Sequence, residues 1–152
     1  MVVTRQELVT QLGTAMQAYQ RSTQSFDDEV GRRLGLNPTD LRCLDWLVDV
    51  RRSARELSEA TGLSSAATTT LIDRLERKGF VRRVAHDWDR RRVLVEMTEE
   101  GRERVGRFYG PLVSEGSAML RVYTKDQRAV MLGYLLSITE LTDRHRDLVR
   151  GG

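Results

Sequence analysis

At 152 residues the chain has room for one domain with a core of its own, or for a smaller domain carrying an extra helical layer. Charged residues make up 31% of it, and no apolar run approaches the roughly 18 residues of a membrane span, which points away from a membrane protein. The opening M-V-V-T-R-Q-E-L lacks the apolar core and cleavage site of a signal peptide, and the single cysteine, Cys43, leaves no internal disulfide; a soluble cytoplasmic protein is expected.

In chain order, the first predicted element is a helix opened by the capping box Thr4-Arg5-Gln6-Glu7 and closed at Gly35. Leu8, Leu12, Ala15, Tyr19, Phe26, Val30 and Leu34 fall on one stripe of it. A helix of about thirty residues would be roughly 45 Å long, more than a domain of this size can cover alone. A partner subunit is the natural cover. Asn37-Pro38 then reads as an N-cap followed by proline at the first helical position, starting a helix over 38–50. That helix is apolar on two sides, with Leu41, Leu44 and Val48 on one and Cys43, Trp46, Leu47 and Val50 on the other.

Ser53-Ala54-Arg55-Glu56 caps a short helix over 54–61, and E-L-S-E-A-T-G-L-S is the pattern of a helix-turn-helix with Gly62 in the turn. Projection of the next helix, 65–78, buries Ala67, Leu71, Ile72 and Leu75 and exposes Ala66, Thr69, Thr70, Asp73 and Arg77. Its exposed N-terminal half carries only small side chains and hydroxyls, which let a helix approach the floor of a major groove. The strands follow, Phe80 to Ala85 and Arg92 to Met97, joined by His86 to Arg91. After Thr98 come two long helices, the first with Gly110-Pro111 inside it, which should bend or weaken it, and the second capped by Thr124 and Gln127.

Net charge is only +3, yet Ser64 to Arg92 holds eight Lys/Arg against four acids. On charge alone this is a patch that meets phosphate or a solvated face. The arginine-tipped hairpin directly after a helix-turn-helix favours the first, because such a wing reaches along a duplex to minor groove or phosphate. Asp87 and Asp89 are expected to keep its arginines ordered.

The segments L-I-D-R-L-E-R-K-G-F-V-R-R and D-W-D-R-R-R-V-L-V-E-M-T-E-E-G resemble the winged-helix core of the MarR family of bacterial transcription regulators. The resemblance implies a mainly α fold with a small β-hairpin wing, in which 37–98 forms the winged helix-turn-helix and 1–36 with 99–152 the helical dimerisation region. It implies a homodimeric repressor on a pseudo-palindromic operator in double-stranded DNA. The DNA-binding candidates are Ser64, Ser65, Ala66, Thr68, Thr69, Thr70, Arg74 and Arg77 on the helix, with Arg90, Arg91 and Arg92 on the wing. Asp73 should pair with Arg91 and, with Asp89, position the wing while Arg90 sits at the tip. Thr70 stands where many members carry a basic residue, which shifts binding toward the wing.

The family's small aromatic effectors bind between the dimerisation helices and the DNA-binding lobe, which makes Tyr19, Cys43 and Trp46 the pocket candidates. Cys43, mid-helix with Asp45 close by, reads as a buried small hydrophobe rather than a thiol sensor. His86 and His145 are the only histidines and lie far apart, so no metal site is expected; nor is a cofactor, a phosphate loop or a nucleophile motif, and so no enzyme. The competing class is a winged helix used for protein–protein contact, which would not need three consecutive arginines at its tip.

Overall fold

The computed structural model describes residues 4–89 and 91–151. Its helices begin by the predicted local chemistry. Thr4 accepts the Glu7 amide at 3.2 Å while the Glu7 carboxylate accepts the Thr4 amide at 2.6 Å, opening α1 (Arg5–Leu34). Asn37 and Asp40 make the same reciprocal pair at 2.8 and 3.0 Å before α2 (Pro38–Asp45). Ser53 and Glu56 repeat it before α3 (Ala54–Thr61). Each such cap contributes on the order of 1 kcal/mol by satisfying amides that the helix itself cannot.

Gly62, in the left-handed conformation with φ 74°, turns the chain after α3, and Ser64 caps α4 (Ser65–Arg77). The hairpin then follows as β1 (Val81–Ala85) and β2 (Val93–Met97), antiparallel from Val81 opposite Met97 to Ala85 opposite Val93. Both strands pack into the same core as the helices, with Leu57, Leu71, Leu75, Phe80 and Val95 all buried. Thr98 Oγ1 accepts the Gly101 amide at 2.9 Å and donates to the Gly79 carbonyl at 2.6 Å, tying the start of α5 (Glu99–Met119) to the turn before β1. Here glycine is required for room: a Cβ on Gly101 would stand 2.4 Å from the Phe80 carbonyl oxygen.

One segment differs from expectation. The second helix ends at Asp45 rather than near residue 50, through tightened turns from Leu47 to the Leu44 carbonyl and from Val48 to that of Asp45. The cause lies downstream, where Arg52 and Val95 exchange both backbone hydrogen bonds, at 3.0 and 2.7 Å, and draw the chain onto the free edge of β2. Gly110 and Pro111 lie inside α5, as expected, and the helical backbone is continuous across both residues.

A turn of 3-10 helix (Leu120–Val122) and Thr124, capped against Gln127 at 3.2 and 2.8 Å, lead into α6 (Lys125–Gly151). The chain divides into two compact units between Phe108 and Tyr109, inside α5. In the first, Leu34 of α1 and Val105 of α5 pack against the core of the central module. Much of the predicted α1 stripe stays open, with Leu8 50%, Leu12 56% and Tyr19 68% exposed. In the second, α6 buries none of its residues.

Candidate nucleic-acid interface

Burial along α4 follows Thr68, Leu71, Ile72 and Leu75, a helical period that starts at Thr68 rather than at the expected Ala67, which is exposed. Thr68 can face the core because its hydroxyl donates to the Ser64 carbonyl at 2.9 Å, leaving its methyl to pack. At 1% exposure it presents nothing to a groove, which removes it from the DNA-binding candidates. Ser64, Ser65, Ala66, Thr69 and Thr70 are exposed, as is Arg77. The hydroxyls of Thr69 and Thr70 donate to the carbonyls of Ser65 and Ala66 at 3.0 and 3.1 Å. What they hold outward is therefore a methyl group and an acceptor oxygen.

Arg74 is also placed differently. Its Nε and Nη2 stand 3.1 and 2.5 Å from one oxygen of Asp40, a carboxylate that is 1% exposed. A buried charge of this kind must be paired. Arg74 thus joins α4 to α2, and its charge is used within the fold rather than left for phosphate, contrary to expectation.

The wing is anchored at both strands. On β1, Arg83 donates from its amide to Glu76 at 3.1 Å and from its guanidinium to both Glu76 and Asp73 of α4. The partner that the structure gives Asp73 is therefore Arg83 rather than Arg91, because mid-strand Arg83 lies over the last turns of α4. On β2, Glu96 is 7% exposed between Arg51 and Arg82, each 2.6 Å away. Burial disfavours its charge, but the Arg82 hydrogen bond and the two guanidinium charges outweigh that and hold its carboxyl below the usual range.

At the tip, the Asp89 side chain accepts the Arg91 amide at 3.1 Å and its carbonyl accepts the Arg92 amide at 2.9 Å. Asp89 therefore shapes the turn through backbone bonds. Asp87 points away from the arginines, to Arg51 at 3.3 Å. Arg91 and Arg92 are exposed, and their side chains make no hydrogen bond or ion pair among the described residues. Arg90 lies outside the described residues.

Sequence reasoning missed Arg51, Arg83 and Asp40. A doublet such as Arg51-Arg52 before a capping box carries no sign of its partners; the one available hint at Asp40 was its place three residues after Asn37.

Of the pocket candidates, Tyr19 is 68% and Trp46 41% exposed, the latter with the Arg52 guanidinium 5.0 Å from its ring centroid. Cys43 is fully buried, and burial followed by the charge of Asp40 pushes its thiol up to about 12. It carries negligible thiolate near neutral pH, as expected of a core residue. Among the described residues no group of His, Cys, Asp and Glu could hold a metal ion, and no helix is long and apolar enough to cross a membrane.

A helix-turn-helix whose second helix shows small side chains, joined by ion pairs to an arginine-tipped hairpin, defines a winged-helix DNA-binding protein. Residues 34–92 match the model of the MarR family. The chain is 38% identical over 107 residues to the HTH-type transcriptional repressor YetL of Bacillus subtilis, across 66% of this chain and 64% of that one. It is 30% identical to the transcriptional regulator BldR of Sulfolobus solfataricus, over 86% of this chain and 95% of that one, with a TM-score of 0.52. A MepR variant of S. aureus bound to an oligodeoxyribonucleotide shares the fold at 15% identity, with a TM-score of 0.56 over 86% of this chain and 97% of the other. The chain belongs to the MarR family, and it is a DNA-binding transcriptional regulator.

Proposed function

We propose that this regulator is a cytoplasmic repressor acting as a homodimer on a pseudo-palindromic operator, and that a small aromatic effector releases it. The observation that carries the DNA reading is the pairing of an α4 start free of long side chains with two exposed wing arginines, Arg91 and Arg92, whose side chains make no hydrogen bond or close ion pair among the described residues, the charge of Arg92 being felt by Glu56 of α3. Thr69 and Thr70 would meet the floor of the major groove with methyl groups and acceptor oxygens, a combination suited to thymine methyls and to the exocyclic amines of adenine or cytosine. Arg91 and Arg92, with Arg90, would supply the sequence-independent affinity.

The dimer reading is supported by Leu8 and Leu12 on α1 and by Leu132, Leu135 and Leu136 on α6, all at least half exposed. Surfaces of this kind mark association sites. Two such subunits would set half-sites about one helical turn, roughly 34–36 Å, apart. Tyr19 and Trp46 remain the side chains offered to an effector, since neither is spent on the core.

A mobility shift against the duplex flanking the protein's own gene tests the reading. Retardation that survives competitor DNA and is reversed by aromatic acids such as salicylate is expected. Equal retardation of any duplex, or none, overturns it.

A further inference from the structure

Trp88, at the tip of the wing, is 91% exposed, the highest value of any large hydrophobic side chain among the described residues. Its neighbours hold the backbone without help from the indole. The Trp88 amide donates to Nδ1 of His86 at 3.3 Å. On one side Asp87 is tied to Arg51, and on the other Asp89 accepts the amides of Arg91 and Arg92. The fold thus fixes the backbone that carries the ring yet gains almost no burial from the ring itself. Most other open apolar side chains sit on the long helices, where a second helix can cover them; Trp88 stands beside Arg91 and Arg92.

We propose that Trp88 is itself a DNA contact, its indole lying against the deoxyribose rings that wall the minor groove while the flanking arginines hold phosphate. This rests on reading the wing as a DNA-contacting element. Charge selects the occupant. Asp87 is paired with Arg51 and the Asp89 carboxylate is turned onto the Arg91 amide, which leaves an exposed indole on the same loop as the exposed side chains of Arg91 and Arg92. That suits a polyanion with apolar sugar surface between its phosphates, and apolar side chains do meet DNA from the minor groove, there as wedges between base steps. The sugars do not vary with sequence, so the contact adds affinity without selectivity, and it releases no counterions because the ring is uncharged.

Trp88→Ala and Trp88→Phe test this, since a side chain that buries nothing can be replaced without unfolding the protein. Trp88→Ala should bind operator and scrambled duplex about tenfold more weakly, with Phe restoring most of the loss. The log–log salt slope should match that of the wild type, unlike the slope after loss of a wing arginine. The emission due to Trp88, taken as the difference between wild type and Trp88→Phe, should become shielded from acrylamide when operator is added. Trp88→Ala binding within twofold of wild type, or emission equally quenched with and without operator, overturns the proposal. If the wild type itself fails to retard any duplex, the reading of the wing fails and this contact with it; if the wild type binds and Trp88 is silent, the contact alone fails.

Discussion

Arg83, midway along β1, reaches back to α4 and donates from Nη2 to Oδ1 of Asp73 at 2.5 Å. The same guanidinium and the Arg83 amide also take Glu76, so one residue of the wing grips two carboxylates a helical turn apart on the recognition helix. That grip ties the wing to the helix, and its energetic signature is measurable.

Loss of Asp73 separates the clamp from simple electrostatics. Removing an acid near DNA should tighten binding by charge alone, whereas loss of the clamp should weaken it and blur the choice between operator and mismatched duplex. Asp73→Ala is expected to do the second. In mobility shifts on both duplexes, a double-mutant cycle should couple Asp73 with Arg83 by about 0.5–1 kcal/mol and leave Asp73 and Arg91 additive. Tighter, equally selective binding by Asp73→Ala would remove the clamp.

Arg74 should act on stability rather than on phosphate. Arg74→Ala leaves the carboxylate of Asp40, only 1% exposed, without its cation. Breaking such a pair costs about 3–5 kcal/mol when both members are fully buried, and Arg74 is about one-third exposed, so about 2–3 kcal/mol is expected. Urea unfolding reads this directly. An unchanged midpoint together with a salt slope reduced by about one would return Arg74 to the DNA contacts.

Glu96 makes stability depend on pH in a stated direction. Its folded carboxyl is held below the ordinary 4.5, so its stabilising effect is complete above that value and disappears as pH falls through the depressed one. The stability difference between wild type and Glu96→Gln should be constant from pH 7 to pH 5.5 and shrink below about 4. Chemical denaturation across pH 3–7 checks it, and a difference that grows on acidification would contradict the network with Arg51 and Arg82.

The open stripe on α1 predicts the oligomeric state. Leu8 and Leu12 are 50% and 56% exposed, so Leu8→Lys and Leu12→Lys should cost a lone chain under about 0.5 kcal/mol. In a dimer closed by that stripe they would bury charge, and the double variant should run as a folded monomer by light scattering with operator affinity sharply reduced. A double variant that keeps the wild-type mass and affinity would place the interface elsewhere.

The long helices, the short central ones and the hairpin were legible from the sequence because their signals are local. Thr4 with Glu7, Ser53 with Glu56 and Thr124 with Gln127 are each three residues apart, so the sequence contains both halves of every cap. The phase of α4 was nearly legible. Thr68 looks polar and outward in the sequence, but a threonine whose hydroxyl returns to the carbonyl four residues earlier offers a methyl to the core.

The sequence alone determined the winged helix-turn-helix, its arginine tip and the apolar stripes that ask for a partner, since each follows from spacing within a few residues. Only the tertiary structure decided which charges are free. Asp40 meets Arg74 across 34 residues and Arg51 meets Asp87 across 36, and an arginine in a basic run looks the same whether its partner is a phosphate or a distant carboxylate. Charge pairing is set by distance in space, and until the chain folds that distance does not exist.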